Sequence, residues 1–182
     1  MVYLEVMKEL DRAAERIHQR LNRTVIALNT GEVPYAVIGG IAVDLWLKTV
    51  GAGILTRDVD ILLRRDDTEI AAQALKGEGF IRKDLGNRTM FLDGPNARAR
   101  DAVHVVFAGE LHMPDYLEPT PDVSEVEEIG ETRVISLPAL TRMKLTAFRS
   151  KDRGHLIELL RAGIIDGSMT NNLPESLKVR FK

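Results

Sequence analysis

Residues 35–63 read YAVIGGIAVDLWLKTVGAGILTRDVDILL, and no other stretch restricts the fold as much. Tyr35–Gly39 and Arg57–Leu63 are short apolar runs with the length and β-branched content of buried strands. Between them, paired glycines open a helix that is apolar nearly all round, with Ile41, Val43, Leu45, Trp46 and Leu47. Such a helix has to be covered on most sides. A buried strand, a glycine turn, a buried helix and a second strand belong in a layered α+β domain with a mixed sheet. The second strand carries an anomaly, because Asp58 and Asp60 interrupt its apolar run. Alternate side chains share a face, so both carboxylates point one way, about 7 Å apart along the chain, while Val59, Ile61 and Leu63 take the other.

Burying two neighbouring carboxylates costs several kcal/mol unless something pairs with them. One resolution is a solvated strand edge on which they pair with Arg57, Arg64 or Arg65. The other is a divalent cation that removes their repulsion. The chain has no cysteine, so disulfides, thiolate metal sites and cysteine nucleophiles are excluded. Hard oxygen donors then favour Mg²⁺ or Mn²⁺ over zinc. Gly39 and Gly40 stand where a strand meets a helix, and there the backbone can approach a ligand closely. The free amides and positive dipole end of that helix suit phosphate.

The rest of the 182-residue chain fits one domain: an N-terminal helix (1–30), a sheet-containing core (35–136) and a helical C-terminal part (138–182). Leu4, Met7, Leu10, Ala14, Ile17, Leu21, Val25 and Leu28 recur at helical spacing and predict one long helix over 2–29. Asp66 with Glu69 resembles a capping box for a helix over 67–77. Further strands are predicted at 79–84, 88–92, 102–107 and 132–136, with the Pro-rich stretch MPDYLEPTPD connecting the last two. Pro138 opens a helix to about Arg149, another covers about 153–162, and a short one lies near 173–180. No apolar run approaches the ~20 residues of a membrane span, and the charged N-terminus is unlike a signal peptide, so a cytoplasmic address is expected. A net charge of −2 argues against a broad nucleic-acid-binding face. Arg82, Lys83, Arg88, Arg98 and Arg100 form a local basic patch that reads first as a solvated hairpin.

Residues 37–63, with Gly39-Gly40 followed by Asp58-x-Asp60, resemble the signature of the DNA polymerase β-like nucleotidyltransferase superfamily. The resemblance implies a nucleotidyltransferase-like mixed sheet packed with helices. It also implies that the glycine turn cradles a nucleoside triphosphate and that the aspartates hold catalytic metals. Residues 137–160, LPALTRMKLTAFRSKDRGHLIELL, are similar to the helical region of the abortive-infection nucleotidyltransferases, the toxins of type IV toxin–antitoxin pairs. In that comparison Lys144 contacts the triphosphate, and Lys151 and Asp152 fall in the nucleotide-binding region. Lys144 also stands out on physical grounds, since it interrupts the apolar stripe of Leu140, Met143, Ala147 and Phe148. Snorkelling from the edge of the stripe is the competing account of Lys144, and a solvated turn that of Lys151 and Asp152.

The chain departs from the superfamily pattern in three places. The interval from Gly40 to Asp58 is long, Ile41 and Ala42 replace the serine or threonine expected after the glycines, and the later strand offers His104 where a third carboxylate is expected. Imidazole is a poor Mg²⁺ ligand but accepts a proton near neutral pH, so His104 is the candidate general base, with Asp101 the alternative third residue. The expected activity is metal-dependent transfer of a nucleoside monophosphate from a triphosphate to an acceptor hydroxyl. The acceptor is a transfer RNA, a protein or a small molecule, and an antitoxin is the expected partner of a toxin. The competing function is nucleotide binding without turnover, exerted through a protein partner.

Overall fold

The computed structural model describes residues 2–181, apart from the side chains of Val2, Tyr3, Leu4 and Leu10. Helix α1 (Val2–Thr30) leads to strand β1 (Ala36–Ile38), helix α2 (Gly39–Lys48), strand β2 (Val59–Leu63) and helix α3 (Thr68–Gly77). The hairpin β3 (Ile81–Leu85) and β4 (Arg88–Leu92) precedes β5 (Ala102–Phe107), and a second hairpin is made by β6 (Val126–Ile129) and β7 (Thr132–Ile135). Helices α4 (Leu137–Ala147), α5 (Ser150–Arg161) and α6 (Glu175–Phe181) close the chain.

All seven strands join one sheet in the order β3-β4-β5-β2-β1-β7-β6. The β2–β5 and β1–β7 pairs are parallel and the others antiparallel, giving the mixed sheet that residues 35–63 call for. Both faces are covered, which is why the central strands are apolar on both sides. Val37, Val59, Ile61, Leu63, Phe91 and Val103 meet α1 and α3 on one face. On the other, Ala36, Ile38, Leu62 and Val134 meet α2, α4, α5 and α6. Helix α2 contributes to both layers, with Ile41 in the first and Ala42, Val43, Trp46 and Leu47 in the second. The Trp46 Nε1–H donates to the Ile135 carbonyl at 3.0 Å, so the ring's polar atom is satisfied inside the core.

Several local expectations are corrected. The apolar stripe of α1 is buried only from Ile17 onward, through Leu21, Val25 and Leu28, whereas Met7 is exposed; Leu4 and Leu10 lie outside the described side chains. On the same helix Arg20 is buried, because its guanidinium reaches Asp93 at 3.0 Å. The capping box expected at Asp66 does not form. Residues 65–67 make a 3₁₀ turn, Asp67 is already helical in backbone and caps nothing, and the Thr68 hydroxyl donates to the Arg65 carbonyl at 2.7 Å. Strand β6 is absent from the sequence expectations because Glu127 and Glu128 occupy its centre. Its half-buried ends, Val126 and Ile129, pair with Ile135 and Thr132 around the turn at Gly130, where φ is 62°.

Candidate active site

A cleft of about 1130 Å³ opens at the end of the sheet where β1 hands over to α2. Its floor is a row of in-register residues: Ile38 pairs with Asp60, Asp60 with His104, and His104 with Met90. In-register neighbours share a face of the sheet. Strand pairing therefore places the Asp60 carboxylate beside the His104 imidazole, although 44 residues separate them in sequence. Asp58 precedes β2 and lines the same cleft.

Asp58 and Asp60 are both half-buried, and among the described residues neither carboxylate has a hydrogen bond or an ion pair. Two of the three arginines that offered a solvated-edge explanation, Arg64 and Arg65, are engaged elsewhere, and Arg57 makes no ion pair with either aspartate among the described residues. Arg64 forks onto Asp122 at 2.8 and 3.0 Å, and Arg65 forks onto Glu110 at 2.7 Å. Burial pushes the Asp60 carboxyl above the ordinary aspartate range, and Asp58 adds to the shift, while His104, Lys151 and Lys144 oppose it. The pair is thus held together without a protein cation in contact.

Gly39 lines the cleft against Asp60. It has φ of 73°, and a Cβ there would fall 3.0 Å from the Asp60 Cγ, so the position admits only glycine. At Gly40 a Cβ would meet the Thr56 Oγ1 at 2.5 Å. Gly40 does not line the cleft itself, and its small size lets the loop before β2 pack against the first turn of α2. That long loop is anchored at a second point by the buried Asp44, whose carboxylate accepts from the Ile54 amide at 3.0 Å and pairs with Lys48 at 2.7 Å. The long interval from Gly40 to Asp58 is therefore a tethered loop that delivers Asp58 to the cleft.

The opposite wall comes from the α4–α5 junction. Lys144 is only 5% exposed and Asp152 only 1%, so neither snorkelling nor a solvated turn describes them. Lys144 Nζ lies 3.3 Å from Asp152 Oδ1, and Arg149 Nε donates to Asp152 Oδ2 at 2.7 Å. Burial pushes the Lys144 ammonium below the usual lysine value and Asp152 pulls it back up. Burial likewise raises the Asp152 carboxyl, but Arg149 and Lys144 outweigh this and leave it below the usual range. Asp152 lines the cleft with its oxygens engaged by the two cations, which it orients. The helix that carries Lys144 stops close to its expected end near Arg149 and does not reach Lys151. It ends at Phe148, whose φ of 48° turns the chain, and α5 restarts with Lys151 in the cleft.

Other cleft residues escaped sequence reasoning. Arg149 is one, and its signal was the Arg-x-x-Asp spacing that puts it at the start of α5, over Asp152. The 109–120 loop is another, pinched at its base where the Thr120 amide donates to the Glu110 carbonyl at 2.9 Å. It brings His112, Asp115, Tyr116 and Glu118 to the cleft. Burial lowers the His112 imidazole below its ordinary pKa, and Arg88 and Arg149 lower it further, so guanidiniums from both walls converge on this loop. The basic patch divides: Arg88 and Arg100 line the cleft, whereas Arg82 pairs with Glu69 at 3.0 Å and with Asp84 at 2.9 Å outside it. Asp101 turns to the other side of the sheet, 3.7 Å from Arg20 of α1, which leaves His104 as the residue beside Asp60. Among the described residues no three His, Cys, Asp or Glu side chains gather closely enough to form a metal cluster by themselves.

No family model matches the sequence, and no curated protein sequence does. Solved structures do resemble the fold. The solution structure of the antibiotic-resistance factor ANT(2'')-Ia aligns with a TM-score of 0.58 at 12% identity, covering 90% of this chain and 89% of that one. The crystal structure of ANT(2'')-Ia in complex with adenylyl-2''-tobramycin gives 0.57 at 12% identity over 88% and 94% of the two chains. JHP933 from Helicobacter pylori gives 0.51 at 17% identity over 85% of this chain and 69% of its own. At such identities the likeness is one of fold alone, and it is consistent with the nucleotidyltransferase-like α+β fold expected from the sequence.

Proposed function

We propose that this chain is a metal-dependent nucleotidyltransferase that moves a nucleoside monophosphate from a triphosphate to an acceptor hydroxyl. One observation carries the reading: Asp58 and Asp60 face a large cleft without a protein partner among the described residues, directly against the Gly39 turn. Two carboxylates in an open cleft fit Mg²⁺, which is commonly held by one or two carboxylates together with water and substrate phosphate oxygens. Asp58 and Asp60 would hold Mg²⁺ or Mn²⁺, and the ion would supply neutralisation of charge on the reacting phosphates. The missing three-residue cluster is no obstacle to that mode of binding.

The chain's own groups account for the remaining tasks. The Gly39 amide, at the positive end of α2, binds the outer phosphates, and Gly40 lets the first turn of the helix sit close behind it. Lys144, Arg149 and Lys151 neutralise the leaving pyrophosphate from the opposite wall, with Asp152 orienting the first two. The acceptor oxygen attacks the α-phosphorus, the bond to the pyrophosphate oxygen breaks, and His104 takes the hydroxyl proton. The toxin role rests on the resemblance of residues 137–160 alone, and co-expression with a neighbouring reading frame that relieves growth arrest is its test.

The decisive experiment incubates the protein with α-labelled triphosphates, Mg²⁺ and cell extract. The wild type is expected to label one acceptor and Asp60→Asn none, while His104→Ala loses about 10²–10⁴-fold in rate. Equal labelling by the Asp60 variant would overturn the reading. Mg²⁺-dependent triphosphate binding without any labelled acceptor would favour nucleotide binding without turnover, the function to which a histidine in place of the third carboxylate points.

A further inference from the structure

The phosphate-facing wall is built on an unfavourable turn, and the C-terminal helix holds it. Phe148 is a bulky residue at φ 48°, a conformation that persists only where its surroundings enforce it. The four residues that follow include Arg149, Lys151 and Asp152, and the Phe148 amide donates back to the Lys144 carbonyl at 2.9 Å. The geometry of this one turn therefore places Lys144, Arg149 and Lys151 relative to one another.

Helix α6 meets the turn from behind. Arg180 Nη1 donates to the Leu145 carbonyl at 2.8 Å and to the Thr146 carbonyl at 2.9 Å, two of the carbonyls left open where α4 ends. Its guanidinium also lies over the Phe148 ring, 5.1 Å from the centroid, and the Arg153 guanidinium lies 5.4 Å from the same centroid. A cation at the C-terminal end of α4 further complements that helix's dipole. The base of α6 is fixed by Leu177, which is fully buried, and the Ser176 hydroxyl donates to the Glu118 carboxylate in the loop on the far side of the cleft. Helix α6 thus touches both the cationic wall and the 109–120 loop.

We infer that α6 is a brace for triphosphate binding and that Arg180 is a positioning residue, acting through the Phe148 turn on Lys144, Arg149 and Lys151. The inference rests on the nucleotidyl-transfer reading of the cleft, and it concerns a residue that does not line the cleft. Losing two hydrogen bonds from a charged donor is expected to weaken binding of a nonhydrolysable triphosphate about tenfold in Arg180→Ala. Nucleoside binding is expected to stay unchanged, because only the phosphate contacts are displaced. Arg180→Lys retains the charge and a donor but not the planar stack on Phe148 or the guanidinium's fixed donor geometry, so it is expected to fall between the two.

Calorimetry with the nonhydrolysable triphosphate and with the nucleoside reads this difference directly. Hydrogen exchange at the Phe148 amide gives a second readout, which is expected to accelerate in Arg180→Ala while amides of the central strands stay protected. A merely structural role would lower nucleoside and triphosphate affinity together, and that result would overturn the inference. Unchanged triphosphate affinity in a folded Arg180→Ala protein would overturn it as well, leaving the nucleotidyl-transfer reading intact. A wild-type protein that binds no triphosphate would remove both. Should Arg180→Ala fail to fold, Arg180→Lys with unchanged triphosphate affinity and unchanged Phe148 exchange would decide against the brace.

Discussion

On the α4–α5 wall of the cleft the buried Lys144 and Asp152 are paired within the protein, whereas on the β2 wall Asp58 and Asp60 have no partner among the described residues. Both walls carry charge that has been partly or wholly removed from water. The α4–α5 wall orders its cations within the chain, one buried carboxylate holding both Lys144 and Arg149, so its geometry exists before any ligand arrives. The β2 wall leaves a deficit of positive charge that only a ligand can make good. The contrast separates preorganisation from binding capacity: the cations wait in place, and the carboxylates create the demand. Substitutions on the first wall should therefore be read mainly in stability and those on the second mainly in ligand response.

The largest effect is expected at Asp152. Asp152→Ala leaves Lys144 buried beside Arg149 with no carboxylate, and breaking such a pair costs about 3–5 kcal/mol. Denaturant unfolding would show it. A loss below about 1 kcal/mol would mean that the wall rearranges freely, and the contrast between the walls would then collapse.

A smaller loss is expected for Lys144→Met. Asp152 keeps Arg149 as a partner, and the methionine avoids the cost of burying an ammonium, so about 1–2 kcal/mol should be lost at neutral pH. Triphosphate affinity should fall as well, measured by calorimetry on the same sample. Unchanged affinity would remove Lys144 from the phosphate wall.

The two walls also differ in how well the sequence shows them. Asp58 and Asp60 are legible because a strand repeats every two residues and polar groups stand out against Val59, Ile61 and Leu63. His104 is legible only as a residue on a later strand, and its place beside Asp60 follows from the parallel pairing of β2 with β5. Lys144 shows up as an interruption of a helical stripe and the break near Arg149 is legible too, but the left-handed turn that makes it is not, since nothing in an Ala-Phe-Arg-Ser run marks one. The ion triad of Lys144, Asp152 and Arg149 depends on that break, which is why Asp152 reads as solvated in sequence and is buried in the fold. The 109–120 loop is similarly opaque, because its shape depends on the Thr120 and Glu110 bonds and not on periodicity.

His155 gives the preorganised wall a pH signature. It lies on α5 with its Nδ1 buried and unpartnered among the described residues, and burial together with Lys144 lowers its pKa to about 4, with Asp152 opposing. Because the folded value is depressed below the unfolded one, near 6.5, the unfolded state takes up the proton first as pH falls. The contribution of neutral His155 is full above about pH 6.5 and is lost progressively down to about 4. His155→Gln should therefore flatten the stability profile in that window, by on the order of 2 kcal/mol at pH 4.5. Identical profiles for variant and wild type between pH 7 and 4.5 would show that the ring protonates without consequence, and the wall would not be preorganised around it.

Asp60 should show the opposite sign and the smallest change in stability. Its folded pKa is raised, by burial first and by Asp58 as well, so protonation favours the folded state. The stabilising contribution of the protonated carboxyl is present at low pH and is lost as pH rises through that raised value. At neutral pH, without metal, an ionised Asp60 is therefore a net cost, and Asp60→Asn should melt at the wild-type temperature or slightly above it. A relief of up to ~1 kcal/mol corresponds to a rise of about 2–4 °C for a chain of this size. The difference should shrink as pH falls through that raised value, where the wild-type carboxyl takes up its proton. Adding Mg²⁺ with a nonhydrolysable triphosphate should then raise the melting temperature of the wild type, because a ligand that binds only the folded state stabilises it, and should leave Asp60→Asn nearly unmoved. If Asp60→Asn instead melts several degrees lower without metal, the carboxylate is paired within the protein after all. The β2 wall would then be as self-contained as the α4–α5 wall, with no charge deficit left for a cation to fill.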